Sequence, residues 1–362
     1  MTFGRENPHV GSSDLGRRLA QRTLALVDIP SVSRDEAEAM AYVRDALPLD
    51  PLVSDEDVLF AVAPGSGELV VLAGHVDTVP AQGNLPGRLA GDVVVGLGAS
   101  DMKGGLAVML ELAAWAQAVE TAYSLGFLFF TREELAAEES PVPAFLERSR
   151  EIGEASLVIV LEPTDNEIHA GCLGNLNAEL VFHGTSAHSA RPWTGDNAIH
   201  KAAASLAPLG ELEPLDVEVD GLVFREVVSA VTIAGGIAAN VVPDRCSAQL
   251  NYRYAPGRSR EEAESRLREL AGEAEVSILG NSPPAHVVVD RPLVQRLRAA
   301  GRFDVRPKQA WTPVAQFAEA GLDAINLGPG ATRFAHRRDE RVEVAALVRT
   351  YEALQRFATG SV

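Results

Sequence analysis

Leu69-Val70-Val71-Leu72-Ala73 runs without a break into Gly74-His75-Val76-Asp77. Five consecutive apolar residues predict a short strand buried on both faces, with a polar cluster at its carboxyl end. Three other stretches share this form: Leu125–Phe130 (LGFLFF), Leu157–Leu161 (LVIVL) and Ala324–Leu327 (AINL). Met102–Ala118, rich in Leu, Ala and Met, reads as a packed helix. Leu15, Leu19 and Leu26 recur at helical spacing behind Ser13, a candidate cap. Continuous apolar strands alternating with helices predict an α/β fold, a mostly parallel sheet with helices on both faces.

The middle of the chain has a different texture. Val228–Ile233 and Cys246–Tyr254 alternate as half-exposed antiparallel strands do. Ser259-Arg260-Glu261-Glu262 is a capping box that opens a helix through about Ala271. A further helix is expected over Asn197–Leu206, ending before Pro208. These elements predict an inserted α+β domain over 178–288, with 1–177 and 289–362 forming one discontinuous catalytic domain.

The 362 residues carry a formal net charge of −18. Such an excess repels phosphate backbones and anionic lipid, which argues against nucleic acid or a membrane as partner. The two cysteines, Cys172 and Cys246, lie in no CxxC or Cys/His cluster, so a disulfide framework or structural zinc knot has no support. Met1–Ser13 has no apolar signal region, and no run approaches the ~18 apolar residues of a membrane span. A cytoplasmic protein is expected.

Ligands of open α/β sheets bind beyond the carboxyl ends of the strands. At those ends stand His75 and Asp77, then Thr131-Arg132-Glu133-Glu134, Glu162-Pro163-Thr164, and Gly328-Pro329-Gly330 with His336 shortly after. Gly96-Leu97-Gly98-Ala99-Ser100-Asp101 precedes the Met102 helix. A lone His-x-Asp is commonly a surface pair, and adjacent glutamates are commonly a solvated face. Five such ends on one rim are hard to reach by chance. Paired divalent metals require a bridging carboxylate with imidazole and carboxylate ligands. Asp77 is spaced to hold the far nitrogen of His75. Of Glu133 and Glu134, one would face a metal and the other the attacking water. Nitrogen and oxygen ligands without thiolate suit zinc, with cobalt or manganese as substitutes. His9, His169, His183, His200 and His286 have no supporting pattern and read as structural. No Gly-x-Ser-x-Gly elbow follows a strand, which speaks against a serine hydrolase.

At these residues the chain resembles the co-catalytic zinc peptidase family of succinyl-diaminopimelate desuccinylase, acetylornithine deacetylase and glutamate carboxypeptidase. GHVDTVP (74–80), GLGASDMKGG (96–105), TREE (131–134), LEPT (161–164), GTSAHSARP (184–192), GGIAANVVPD (235–244) and GPG…AHRRDE (328–340) match its motifs in order. The resemblance implies that His75, Asp101 and Glu162 hold one zinc, and Asp101, Glu134 and His336 the other. It makes Glu133 the base and Asp77 the residue that orients His75. It also implies a cis peptide between Asp101 and Met102. The inserted domain would serve as lid and homodimer surface, with His188 reaching the partner's active site to stabilise the oxyanion. Asn240 and Arg253 would bind the carboxylate end of a small N-acyl amino acid, with Thr312 and Gly330 as further substrate contacts. SARPWTGDNAIHK (189–201) is most similar to the actinobacterial desuccinylases. Two departures bear on specificity. Cys172-Leu173 stands where many desuccinylases carry adjacent arginines, and Pro313 follows Thr312 where an acidic or hydroxyl residue is expected.

Overall fold

Ser124–Phe130, Leu69–His75, Ala155–Val160 and Ala324–Asn326 lie side by side, in that order, in the computed structural model, which describes residues 14–361. These are the four apolar stretches, each within two residues of its expected bounds. Leu69–His75 is parallel to both neighbours, with Leu72 opposite Phe127 on one side and Ile159 on the other. Its residues are buried from Val70 to His75 at odd and even positions alike, so both faces are covered, as the unbroken apolar run requires. An antiparallel pair absent from the expectation, Val58–Ala63 and Pro51–Ser54, continues the sheet beyond Ser124–Phe130.

The helix expected over Met102–Ala118 is Gly104–Ala118. Asp101 (φ −124°, ψ 92°) and Met102 (φ −131°, ψ 33°) depart from helical geometry, and the bond between them is cis. Helices Asp14–Val27, Gly104–Ala118 and Val344–Ala358 pack against one another. The Ser13 cap lies outside the described residues. Among the described residues no helix is long and apolar enough to cross a membrane.

The chain divides into two compact units. One runs up to Ile168 and includes Asp290–Asp304 and the chain from Ile325 onward; the other is His169–Val289 with Val305–Ala324. The second unit is built on an antiparallel sheet in the order Leu215–Val219, Leu222–Gly235, Arg245–Tyr254, Gly174–His183, Glu275–Ser282. Helices Ala198–Leu206 and Arg260–Ala271 contribute Ala198, Ala202, Ala263 and Leu267 to its core beside Leu176, Leu180 and Leu250. Asn197 caps the first helix by accepting the N–H groups of Ile199 and His200. The Ser259/Glu262 capping box opens the second with both reciprocal bonds made. Val305–Ala324, expected with the catalytic domain, groups with this unit instead. Gln309 explains part of the difference, since its side chain bonds the Arg225 N–H and the Val223 carbonyl.

Candidate metal centre

The parallel strands of the first unit end on polar side chains. Leu69–His75 closes on His75, which is fully buried, and Asp77 follows in extended chain. After Ser124–Phe130 the backbone takes φ 58° at Arg132, a left-handed value uncommon outside glycine. That turn takes Glu133 and Glu134 off the strand. Asp57 holds the corner, accepting from Thr131 Oγ1 at 3.1 Å and pairing with Arg132. Glu162 lies two residues beyond Ala155–Val160, and His336 (φ 60°) lies in the loop that follows Ala324–Asn326.

These ends converge. His75 Nε2 lies 3.3 Å from Asp101 Oδ1 and 3.7 Å from Glu162 Oε1. His336 Nε2 lies 3.4 Å from Asp101 Oδ2 and 2.9 Å from Glu134 Oε1. Asp101 thus turns one oxygen to each histidine, the disposition a bridging carboxylate needs. Two groups, His75 with Asp101 and Glu162, and Asp101 with Glu134 and His336, each bring three possible ligand atoms within 4.8 Å of one another. A third such group, His75 with Glu133 and Glu134, belongs to the same pocket.

Five carboxylates (Asp77, Asp101, Glu133, Glu134, Glu162) thus crowd around two imidazoles. Burial, and then the neighbouring Glu162, pushes Glu133 well above the usual carboxylate range. Burial also raises Glu134, against the hydrogen bond from His336. His75 is held well above an ordinary imidazole despite its burial, through Asp101 and Asp77. His336 is raised to about 11 by Asp101 and then Glu134. Asp101 is held low, its burial outweighed by the two histidines. Glutamates pushed up beside histidines pushed up are the signature of a pocket short of positive charge. The donor set fits divalent cations: nitrogen and carboxylate oxygen, no thiolate, and one carboxylate facing two ligand sets.

The surrounding contacts include residues the sequence alone did not reveal. Asp77 lies 3.3 Å from His75 Nδ1, the far nitrogen of the ring. It also accepts the backbone N–H groups of Glu133 (3.0 Å) and Glu134 (3.1 Å), and Ser33 Oγ donates to it at 2.7 Å. Asp77 therefore aligns a possible ligand, the possible base and the adjacent glutamate together. Glu340 is buried beneath the Asp101 loop, and burial raises it to about 7. Lys103 Nζ donates to the Ile29 carbonyl at 2.8 Å, and burial lowers it to about 8. The one available signal for Glu340 and Lys103 was that each lies inside a motif. Gly330, expected to touch substrate, has a packing role as well: a Cβ there would lie 2.1 Å from the Ser100 carbonyl oxygen.

The remaining candidates belong to the second unit. His188 and Asn240 come together, since Ala187–His188 pairs with Val241–Val242 and the Ser189 N–H donates to the Asn240 carbonyl at 2.9 Å. Arg253 is on a different sheet, the five-stranded one, opposite Asn175 and Val227, with Nε donating to Asn251 Oδ1 at 2.9 Å. Arg245 pairs with His183, and the chain continues past that end toward His188 and Asn240. The eight steps from Arg245 to Arg253 alone measure about 27 Å of strand. Among the described residues, no direct contact joins Arg253 to His188 or Asn240 through the bonds of these strands. Thr312 is buried, and its carbonyl lies 4.0 Å from Cys172 Sγ.

Comparison with known proteins agrees with this architecture. The Corynebacterium glutamicum succinyl-diaminopimelate desuccinylase is 36% identical over 351 residues, covering 91% of this chain and 94% of its own. The Mycobacterium tuberculosis protein DapE is 39% identical over 345 residues, covering 93% and 97%. Among solved structures, the Sulfolobus solfataricus M20 family metallo-carboxypeptidase Sso-CP2 shares the fold with a TM-score of 0.77 at 17% identity, over 94% of this chain and 98% of that one. The Bacillus subtilis YxeP protein, a dinuclear metal binding peptidase, does so with a TM-score of 0.71 at 17% identity, over 96% and 98%. The description of peptidase family M20/M25/M40 matches residues 71–360, and the chain is a member of that family.

Proposed function

We propose that this protein hydrolyses the amide bond of N-succinyl-LL-2,6-diaminopimelate, releasing succinate and LL-2,6-diaminopimelate, in the cytoplasm. The observation that carries the reading is Asp101, with one oxygen toward the His75/Glu162 set and the other toward the Glu134/His336 set. The actinobacterial relatives, similar over nine-tenths of the chain, support the choice of substrate.

His75, Asp101 and Glu162 would hold one zinc ion, and Asp101, Glu134 and His336 the other, with cobalt or manganese able to substitute. Bound there, two divalent cations lower the pKa of water and polarise the amide carbonyl. Glu133 takes the proton of the attacking water and returns it to the departing nitrogen. A buried carboxyl with raised proton affinity suits that task, because it must hold the proton between the two transfers. Asp77 keeps His75 and the Glu133 backbone in register. His188 supplies the donor for the oxygen on which negative charge develops. Asn240, Arg253, Thr312 and Gly330 contact the substrate.

The second unit supports a homodimer. Arg253 lies about 27 Å of strand away from the end that leads to His188 and Asn240, a span longer than one small substrate, which supports a second copy as the source of His188 and Asn240. In this reading one copy supplies Arg253 and the other His188 and Asn240. Leu222–Gly235 offers a surface for that copy. Leu215–Val219 covers it only as far as Glu226, and Val231 and Ile233 beyond are each 57% exposed.

An N-acetyl amino acid is the second reading, because the buried Cys172 and Leu173 are uncharged and cannot themselves pair with a succinyl carboxylate. Steady-state assays of the zinc-loaded enzyme on N-succinyl-diaminopimelate, N-acetylornithine and a dipeptide separate the two. A preference of about 10²-fold or more in kcat/KM for the succinylated substrate is expected, the scale set by pairing a buried charged group. Equal or better turnover of N-acetylornithine would overturn the assignment.

A further inference from the structure

We infer that Glu340 is a positioning residue for Asp101, fixing the direction of the bridging carboxylate through the backbone of its loop. The inference rests on the two-metal reading above. Glu340 is 1% exposed, and a single oxygen, Oε1, accepts the N–H groups of both Ser100 (3.1 Å) and Asp101 (3.0 Å). The Glu340 carbonyl accepts from the Gly96 N–H at 3.0 Å. Side chain and main chain of one residue therefore hold both ends of the Gly96–Asp101 loop.

The loop needs such a hold. Asp101 has φ −124° and ψ 92°, so no helical ladder fixes it, and the helix proper starts only at Gly104. Two amides anchored on one oxygen set the peptide planes on either side of Ser100, and with them the direction in which the Asp101 side chain leaves the backbone. Glu340 also lies four residues beyond His336, whose Nε2 is 3.4 Å from Asp101 Oδ2. One short segment thus presents a possible ligand and anchors the carboxylate that ligand faces. Burying a carboxyl beneath a pocket already rich in carboxylates is unfavourable unless it is hydrogen-bonded, and here the bonds end on the Asp101 loop.

Cobalt(II) uptake by the metal-stripped full chain tests this through affinity and visible absorption, with no need for turnover. The proteins compared are wild type, Glu340→Gln, Glu340→Asp and Ser100→Ala. Wild type is expected to bind two ions. Glu340→Gln keeps an oxygen in the Oε1 position and should match wild type in affinity and spectrum. Glu340→Asp withdraws the acceptor by one methylene, and should lose about 10–100-fold in affinity with shifted cobalt bands, the usual range for a residue that orients a ligand. Ser100→Ala removes the bonds between Ser100 Oγ and Ala331 but leaves the Glu340 bonds, and serves as the control for general loosening of the loop. Wild-type behaviour in Glu340→Asp overturns the inference, as does equal loss in Ser100→Ala. If Glu340→Asp does not fold, Glu340→Gln decides: a retained spectrum supports the inference, and a lost one overturns it. A wild-type chain that binds fewer than two ions overturns the two-metal reading itself, and this inference with it.

Discussion

The pocket of the first unit and the polar residues of the second differ in how much of a site one chain completes. In the first, two histidines and five carboxylates from several strand ends and the Asp101 loop gather in one pocket, and Asp77 alone ties together His75, Glu133 and Glu134. In the second, His188 and Asn240 sit together, Arg253 lies on another sheet, and the Leu222–Gly235 strand leaves apolar residues in solvent. The first arrangement needs only ions. The second is the arrangement that the proposed homodimer would complete. Each half of the comparison can be broken by experiment.

The largest effect should come from Glu133. If the first-unit pocket separates the base from the ligands, Glu133→Gln lowers kcat by about 10³-fold while metal content stays near wild type, within the range for a lost general base. Glu134→Gln should instead deplete one metal, since Glu134 Oε1 is the group 2.9 Å from His336 Nε2. Elemental analysis of the two purified variants reads this directly. The opposite pattern would exchange their roles.

The next effect tests whether the second unit acts across a dimer. His188→Ala should lower kcat by about 10²-fold, the scale of one lost oxyanion donor, with little change in KM, metal content or dimer mass. Mixing inactive His188→Ala with inactive Glu133→Gln then tests the direction of donation. In a mixed dimer, the site that keeps Glu133 belongs to the His188→Ala subunit and receives His188 from its partner, so one site in two regains activity. If subunit exchange is verified and no activity returns, His188 does not act across the interface, and the contrast between the two regions loses its explanation.

What could be read beforehand follows from how local each signal is. The strands at Leu69, Ser124, Ala155 and Ala324 are continuous apolar runs, a signal that survives without tertiary context. The polar residues at their ends were legible as a set because the fold rule places such ends on one rim. The helix before Gly104 was overextended because composition cannot show the turn at Asp101 and Met102. Pro51–Ser54 was missed because a short, exposed edge strand carries little periodicity, whereas Val58–Ala63 is an unbroken apolar run of the same kind as the other four and was legible. Gln309 drew Val305–Ala324 into the second unit through two hydrogen bonds invisible in a linear sequence. Ser33 and Glu340 escaped for a related reason. Each acts on a residue far away in the chain, at separations of 44 and 239 residues, and neither type announces a role by itself.

Ser33 offers the smallest and most discriminating test. Its hydroxyl donates at 2.7 Å to Asp77 Oδ2, which also accepts the Glu134 N–H, while Asp77 Oδ1 accepts the Glu133 N–H and faces His75. Ser33→Ala removes one of four contacts to a buried carboxylate and leaves the other three. A hydrogen bond to a charged group contributes roughly 1.5–3 kcal/mol, so about a 10²-fold loss is the ceiling if the whole contribution reaches the transition state. The remaining contacts should hold Asp77 close to its place, and the expected fall in kcat is only about threefold to fivefold on that scale, with KM and metal content unchanged. Steady-state kinetics beside elemental analysis resolves a change of that size. A fall of 10²-fold or more, or the loss of one metal, would mean that Asp77 is not over-determined by its neighbours. The first-unit pocket would then depend on single contacts, as the proposed site of the second unit depends on a partner.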